Sequence, residues 1–339
     1  MNETFMAREI RETASVVARH ETHNDIAVFG EALRNAPPEL LLTIARGTSD
    51  HAAEYLGYLL MRYCGIPALS VPLSLNTIYH TRWQLRNALA LTISQSGGSP
   101  DLIDSINNLH AAGLNSVALV NTIPSPLAEA SNHVLDIAAG VEHSVAATKS
   151  FVATLSVGLR AFNYLFDDPQ LTEAFKTLPE KLDAACALDW SKAVDTLAEV
   201  DRLYVIGRGA GLAIAKEAAL KCKETCLIQG EAFSGAEVKH GPMALMNPKQ
   251  VVLIFAPPDD SQAGLIETAR QFREMGAKVL LAADDSVSER DLPLIDAGHP
   301  ALQGLTSIQS FYMMVEELSA VRGINTDQPP NLKKRTETR

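Results

Sequence analysis

The chain has 339 residues, 47% of them hydrophobic and 20% charged, with a formal net charge of −11. Such a chain is long enough for two domains, each with its own core, and its composition is that of a globular protein. The acidic balance excludes nucleic acid as the expected partner, because a phosphate backbone requires a basic footprint; one small phosphate can still be held by local dipoles.

Residues 1–35 are predicted to be helical from the spacing of Ile10, Val16 and Val17, then Ile26, Val28, Phe29 and Leu33. This segment is charged throughout and lacks an apolar signal core, and no run in the chain is long and apolar enough to span a membrane. Pro37-Pro38 breaks the helical pattern. A short strand, 39–45, ends in Arg46-Gly47-Thr48-Ser49, and a helix follows with Ala52, Ala53, Leu56, Leu59 and Leu60 on one face. Residues 67–71 read as extended.

The next stretch, Ala88 to Asp101, organises the first half. An apolar run of strand length stops at Ser94-Gln95-Ser96-Gly97-Gly98-Ser99, and a helix then begins with Leu102, Ile103, Ile106 and Leu109 at helical spacing. A strand, a Ser/Gly loop and a helix start together make an anion site: glycines let the backbone curl, and the first helical N–H groups and the helix dipole favour negative charge. The loop has no lysine, so it is not a nucleotide-triphosphate loop, and a single small phosphate suits it better. Strands at 116–120 and 134–137 and a helix over about 146–166 complete the half.

The second half repeats the plan, with strands at 203–206, 251–256, 279–282 and 292–295 and helices up to about Leu227, over 264–275 and over 302–321. Arg46-Gly47 aligns with Arg208-Gly209, and Ala112-Gly113 with Met275-Gly276, at an offset of about 162 residues, which indicates an internal duplication joined around 167–189. The fold class expected is α/β: two tandem domains, each a mostly parallel sheet flanked by helices. The copies differ at the loop. Ser94-Gln95-Ser96-Gly97 corresponds to Ala256-Pro257-Pro258-Asp259-Asp260, whose acids and prolines cannot cradle a phosphate, so one phosphate site per chain is expected. Gly207-Arg208-Gly209-Ala210-Gly211 is not a dinucleotide fingerprint, since Leu212 occupies the third glycine position.

Residues 216–227 form a predicted helix with Ala215, Ala219 and Cys226 on its apolar face, and Lys221 and Glu224, three apart, share a face. Cys64, Cys186, Cys222 and Cys226 are few and irregularly spaced, as in reduced cytoplasmic proteins, and no His cluster completes a zinc pattern. Residues 229–246 are polar and aperiodic, and Glu231, Glu237, Lys239 and His240 crowd this predicted loop. Taken singly, Lys221 could pair with Glu217 or Glu224 on a solvated face, and His240 could cap Gly241-Pro242. Together they suggest acid–base chemistry: a carboxylate that moves a proton, a histidine that handles a ring oxygen, and lysines that tune or trap a carbonyl. The tail, Asp327 to Arg335, is proline-stiffened and basic, which by itself describes a solvated terminus.

Ser94-Gln95-Ser96-Gly97, the duplicated halves, Ala219-Leu220-Lys221-Cys222-Lys223-Glu224, Lys239-His240-Gly241-Pro242 and Asp327-Gln328-Pro329-x-Asn331-Leu332 together resemble the sugar isomerase (SIS) domain family, and within it the isomerase half of glucosamine-6-phosphate synthase. The resemblance covers nearly the whole chain. It implies a helical segment over 1–35, SIS domains over 36–170 and 185–325, and an active-site tail over 326–339. It also implies that Thr48, Ser94, Gln95, Ser96 and Ser99 hold a sugar phosphate, bordered by Ser49, with Val145 near the sugar. Glu224 matches the carboxylate that shuttles a proton between C1 and C2, with Lys221 as its helper. His240 matches the ring-opening histidine, which in that family enters from the neighbouring subunit, so a homodimer is implied. Lys334 matches the lysine that engages the open-chain ketose as a Schiff base. No metal and no organic cofactor are expected.

The departures from the synthase set the expected reaction. The synthase carries a glutaminase domain ahead of this region, whereas here Met1-Asn2 opens the chain and about 35 residues precede the first strand. With no ammonia source, the same chemistry is expected to run as deamination of glucosamine 6-phosphate to fructose 6-phosphate and ammonia, as in the stand-alone SIS deaminases. Arg46 stands where the synthase has a cysteine, and Pro330 where it has an arginine. The alternatives are a deglycase or deaminase of fructosamine 6-phosphate or galactosamine 6-phosphate, and a non-catalytic sugar-phosphate sensor.

Overall fold

The structure, a computed structural model, describes residues 3–334, so Met1, Asn2 and residues 335–339 of the expected tail lie outside the described residues. Two helices, α1 (Phe5–Arg19) and α2 (Asn24–Asn35), come first. The first repeat follows as β1 (Leu40–Ile44), α3 (Thr48–Cys64), β2 (Ala68–Ser70), α4 (Ser74–Thr77), β3 (Ala88–Ser94), α5 (Pro100–Ala111), β4 (Asn115–Val120), α6 (Pro126–Ala130) and β5 (His133–Asp136). Three helices lead onward: α7 (Lys149–Phe166), α8 (Pro169–Cys186) and α9 (Ser191–Leu197). The second repeat is β6 (Arg202–Gly207), α10 (Gly211–Cys226), β7 (Gln229–Ser234), β8 (Val251–Ala256), α11 (Gln262–Glu274), β9 (Lys278–Ala283), β10 (Leu292–Pro293) and α12 (Gln303–Val321). No helix among the described residues is long and apolar enough to cross a membrane.

The chain divides into two units. The first comprises residues 15–142 and 149–172 and the described tail from Lys333; the second comprises 3–14, 143–148 and 173–332. In the first unit five parallel strands lie in the order β2-β1-β3-β4-β5. All seven residues of β3 are buried, as a central parallel strand covered on both faces requires. Leu42, Ala90 and Ala118 from the sheet pack with Leu102, Ile106 and Leu109 of α5, the face that the helical spacing predicts. Truncating Ile106 to Ala would cost about 2–5 kcal/mol in lost burial and cavity.

The second unit repeats the design. Its five parallel strands run β7-β6-β8-β9-β10, the same order element for element, with Val252 and Ile254 packed against Leu265, Ala269 and Phe272 of α11. In such a sheet the crossovers leave the first and third strands of the repeat in opposite directions, which opens a crevice at their carboxyl ends.

Several expectations are corrected. The joining segment 167–189 is mostly the helix α8, with Leu171, Phe175, Leu178 and Leu182 buried along one stripe and Pro179 inside it. The polar loop predicted from 229 begins as a strand: β7 pairs in parallel with β6, and a Cβ on Gly230 would come within 2.8 Å of the Ala219 carbonyl. The helix expected from about Ala146 starts at Lys149. Val28, placed on the apolar face of α2, is exposed.

Candidate active site

In the first unit β1 and β3 are neighbours, with Leu40–Ile44 alongside Ala88–Thr92, so the segments after them leave the same edge of the sheet. After β1, Gly47 takes a positive φ of 55° and its carbonyl accepts from Asp50 and His51 N–H, which starts α3 at Thr48 and Ser49. After β3, the loop is closed by its own hydroxyls. Ser94 Oγ accepts from Gly97 N–H at 3.1 Å, and Ser96 Oγ from Gly98 N–H at 3.4 Å. Gly97 has φ +63°, and a Cβ there would overlap Ser125 Oγ. The Gly97 carbonyl accepts from Leu127 N–H at 3.0 Å. Glycine is therefore required twice over, for its conformation and for the close approach of the chain leading into α6.

Ser94 is buried, while Gln95, Ser96 and Ser99 are half-buried on the rim of the loop. The Ser99 carbonyl accepts from Leu102 N–H at 3.2 Å and Ile103 N–H at 3.3 Å as α5 begins with Pro100. The structure thus brings Thr48, Ser49 and the 94–99 loop to adjacent strand ends, where two helices start. Arg46, from the same edge, places Nε 2.6 Å from Oδ2 of Asp101, a carboxylate with no exposed surface in the first turn of α5. In the second repeat the loop after β8 carries an acid: Asp259 Oδ1 accepts from Ser261 N–H at 2.7 Å and from Ser261 Oγ at 2.6 Å.

Lys334, also in the first unit, places Nζ 3.3 Å from Oε2 of Glu142. Glu142 is buried, and it also accepts from Ser150 N–H at 3.2 Å and Ser150 Oγ at 2.7 Å. The tail lysine is therefore placed as an ion-pair partner of a buried carboxylate.

The second unit holds the titratable cluster. Lys221 and Glu217, one turn apart on α10, have no exposed side-chain surface, and Nζ lies 3.2 Å from Glu217 Oε1. The same ammonium lies 2.5 Å from Oε2 of Glu224, whose side chain keeps 23% of its surface exposed. Tyr312 on α12 donates its hydroxyl to Glu217 Oε1 at 3.0 Å. Burial disfavours a charged Lys221, but Glu217 and then Glu224 outweigh it, so its pKa is held above the ordinary lysine value. The spacing of Lys221 and Glu224 predicts the pair correctly, but the face is buried and not solvated. Cys222 and Cys226 are buried as well, and burial pushes the Cys226 thiol up to about 11, which leaves it an inert thiol of the core.

His240 and Lys239 are exposed at the end of a one-turn 3₁₀ helix (Glu237–His240), anchored by the wholly buried Val238. Val145 is half-buried in the irregular strip ahead of α7. In that strip Ser144 N–H donates to the Glu9 carboxylate at 3.2 Å, as does His143 N–H. Sequence reasoning missed Tyr312, Glu142 and Asp101. Tyr312 is far from Lys221 in the chain, and nothing in local spacing marks it.

Comparison with known proteins agrees with this architecture. The SIS domain model matches residues 37–164 and 196–321. Glutamine–fructose-6-phosphate aminotransferase (isomerizing) of Methanothermobacter thermautotrophicus is 31% identical over 97% of this chain and 57% of its own length. The chain spans about half the length of the curated relatives it matches. A crystal structure from Silicibacter pomeroyi DSS-3, assigned as a phosphosugar isomerase, superposes with TM-score 0.90 at 40% identity, covering 96% of this chain and 100% of that one. Glucosamine-6-phosphate deaminase from Thermotoga maritima shares the fold, with TM-score 0.80 at 21% identity, covering 99% of this chain and 100% of that one. With two matched repeats and the strand order repeated in both, the chain belongs to the SIS domain family.

Proposed function

We propose that the chain is a phosphosugar isomerase whose reaction is the deamination of glucosamine 6-phosphate to fructose 6-phosphate and ammonia. The observation that carries the reading is the state of Glu224: a partly exposed carboxylate fixed at 2.5 Å by an ammonium that is itself wholly buried. Such a carboxylate is paired, oriented and open to a substrate, which is what a proton shuttle between adjacent carbons requires. The 94–99 loop, with the start of α3 beside it, supplies the anion end, and the relatives' names agree on phosphorylated sugars.

In this reading Thr48, Ser49, Ser94, Gln95, Ser96 and Ser99 hold or border the phosphate, and Val145 lies near the sugar. His240, contributed by the partner protomer of a homodimer, moves the proton that opens the ring. Glu224 takes the C2 proton of the open aldose, which leaves an enolamine, and returns a proton to C1, which leaves a ketimine at C2. Water then adds to C2, ammonia departs, and fructose 6-phosphate remains. Lys334 engages the open-chain carbonyl.

The test is to follow ammonia and fructose 6-phosphate from glucosamine 6-phosphate, with galactosamine 6-phosphate and a fructosamine 6-phosphate run beside it. Equal release of both products from the gluco substrate is expected. Release from another substrate alone would reassign the substrate, and binding of all three without turnover would make the chain a sensor.

A further inference from the structure

α12 packs along α10 and brings one phenol into the buried charge cluster. Tyr312 has no exposed surface, and its hydroxyl donates to Glu217 Oε1 at 3.0 Å. That same oxygen lies 3.2 Å from Lys221 Nζ, while the ammonium reaches Glu224 at 2.5 Å. One ammonium thus faces two carboxylates. How it divides between them depends on what other hydrogen bonds each carboxylate has, and away from water those bonds are strong. The phenol satisfies part of Glu217. Without it, Glu217 would draw more heavily on Lys221, at the expense of Glu224.

We propose that Tyr312 is a positioning residue for the reaction: by donating to Glu217 it directs Lys221 toward Glu224 and so fixes the shuttle carboxylate in its working place. This rests on the reading of Glu224 as the proton shuttle. Several other charged groups on α10 and on the elements packed against it are engaged elsewhere or exposed. Arg322, past the end of α12, donates to the carbonyls of Cys226, Leu197, Ala198 and Val200. Lys223 donates to the Gly230 carbonyl. Glu231 on β7 and Arg202 on β6 are exposed, and the Tyr204 ring packs against Phe233.

Tyr312→Phe keeps the buried ring and removes only the hydroxyl, so folding is expected to survive. The first readout needs no turnover: a double-mutant cycle of Tyr312→Phe with Glu224→Gln, measured by urea unfolding. Members of one hydrogen-bonded network couple whatever their role, so a non-additive cycle shows that the phenol reaches Glu224 through the network, and an additive one shows that it does not. The second readout is steady-state kinetics on glucosamine 6-phosphate, where kcat is expected to fall about tenfold with KM held within about twofold. An additive cycle, or a coupled cycle with unchanged kcat, overturns the proposal. Failure of the underlying reading shows separately, as a wild-type chain that releases no ammonia.

Discussion

A lysine with no exposed surface, set between two glutamates on one helix, is the placement on which the proposed chemistry depends. Removing water from three charges is costly unless each finds a partner, and here the ammonium serves both carboxylates while a phenol completes one of them. The sign of the resulting pH dependence follows. Lys221 has its pKa raised in the fold, so its contribution to stability is fully present below the ordinary lysine range and is lost only as pH rises through the raised value. Urea midpoints should therefore show no loss from this group up to about pH 10 and a decline above it; a decline that begins near neutrality and vanishes in Lys221→Met would contradict this. At Glu224, replacement by Gln keeps the shape and removes the base. Turnover should fall by about 10²–10⁴-fold while phosphosugar binding, read by calorimetry, is retained. The helical spacing of Lys221 and Glu224 made their pairing legible in the sequence. Their burial was not legible, because a solvated and a buried face satisfy the same spacing, and the residue that decides, Tyr312, comes from a different helix.

At the level of elements, the strand–loop–helix at 88–111 was legible because its signal is local: an apolar run, a break into Ser and Gly, then helical spacing. What local pattern cannot show is how tightly the loop is packed. Gly97 sits at φ +63° with Ser125 where a Cβ would go, so Gly97→Ala forces both a strained backbone and a displaced neighbour. It should cost about 1–3 kcal/mol in stability. It should also abolish the rise in melting temperature that glucosamine 6-phosphate is expected to give the wild type. An alanine variant with wild-type stability and an undiminished ligand shift would show that the loop does not hold the anion. β7 and α8 were less legible for different reasons. β7 is an edge strand whose polar residues carry no alternation and whose Gly230 is chosen by the helix it lies against, while Pro179 interrupts the reading of α8 although the buried stripe of Leu and Phe runs through it.

At the scale of the whole chain, duplication has left two sheets of identical strand order and two different loops. The first repeat has Ser and Gly at the strand end; the second has Asp259, whose carboxylate is hydrogen-bonded by Ser261 within the same loop. One equivalent of phosphosugar per chain is therefore expected from calorimetry, and two equivalents would refute the division of labour between the repeats. The repeat itself was legible from the matched Arg-Gly and Gly positions, since both copies use glycine where the backbone turns with positive φ: Gly47 and Gly209, Gly113 and Gly276. The central claim is that a proton leaves C2 before ammonia does. Its most direct test is the fate of the label when glucosamine 6-phosphate carrying deuterium at C2 is turned over and the products are read by NMR and mass spectrometry. The account predicts a slowed reaction and fructose 6-phosphate with the deuteron gone from C2, carried to C1 or lost to water. Ammonia released alongside a sugar phosphate that still holds deuterium at C2 would contradict it.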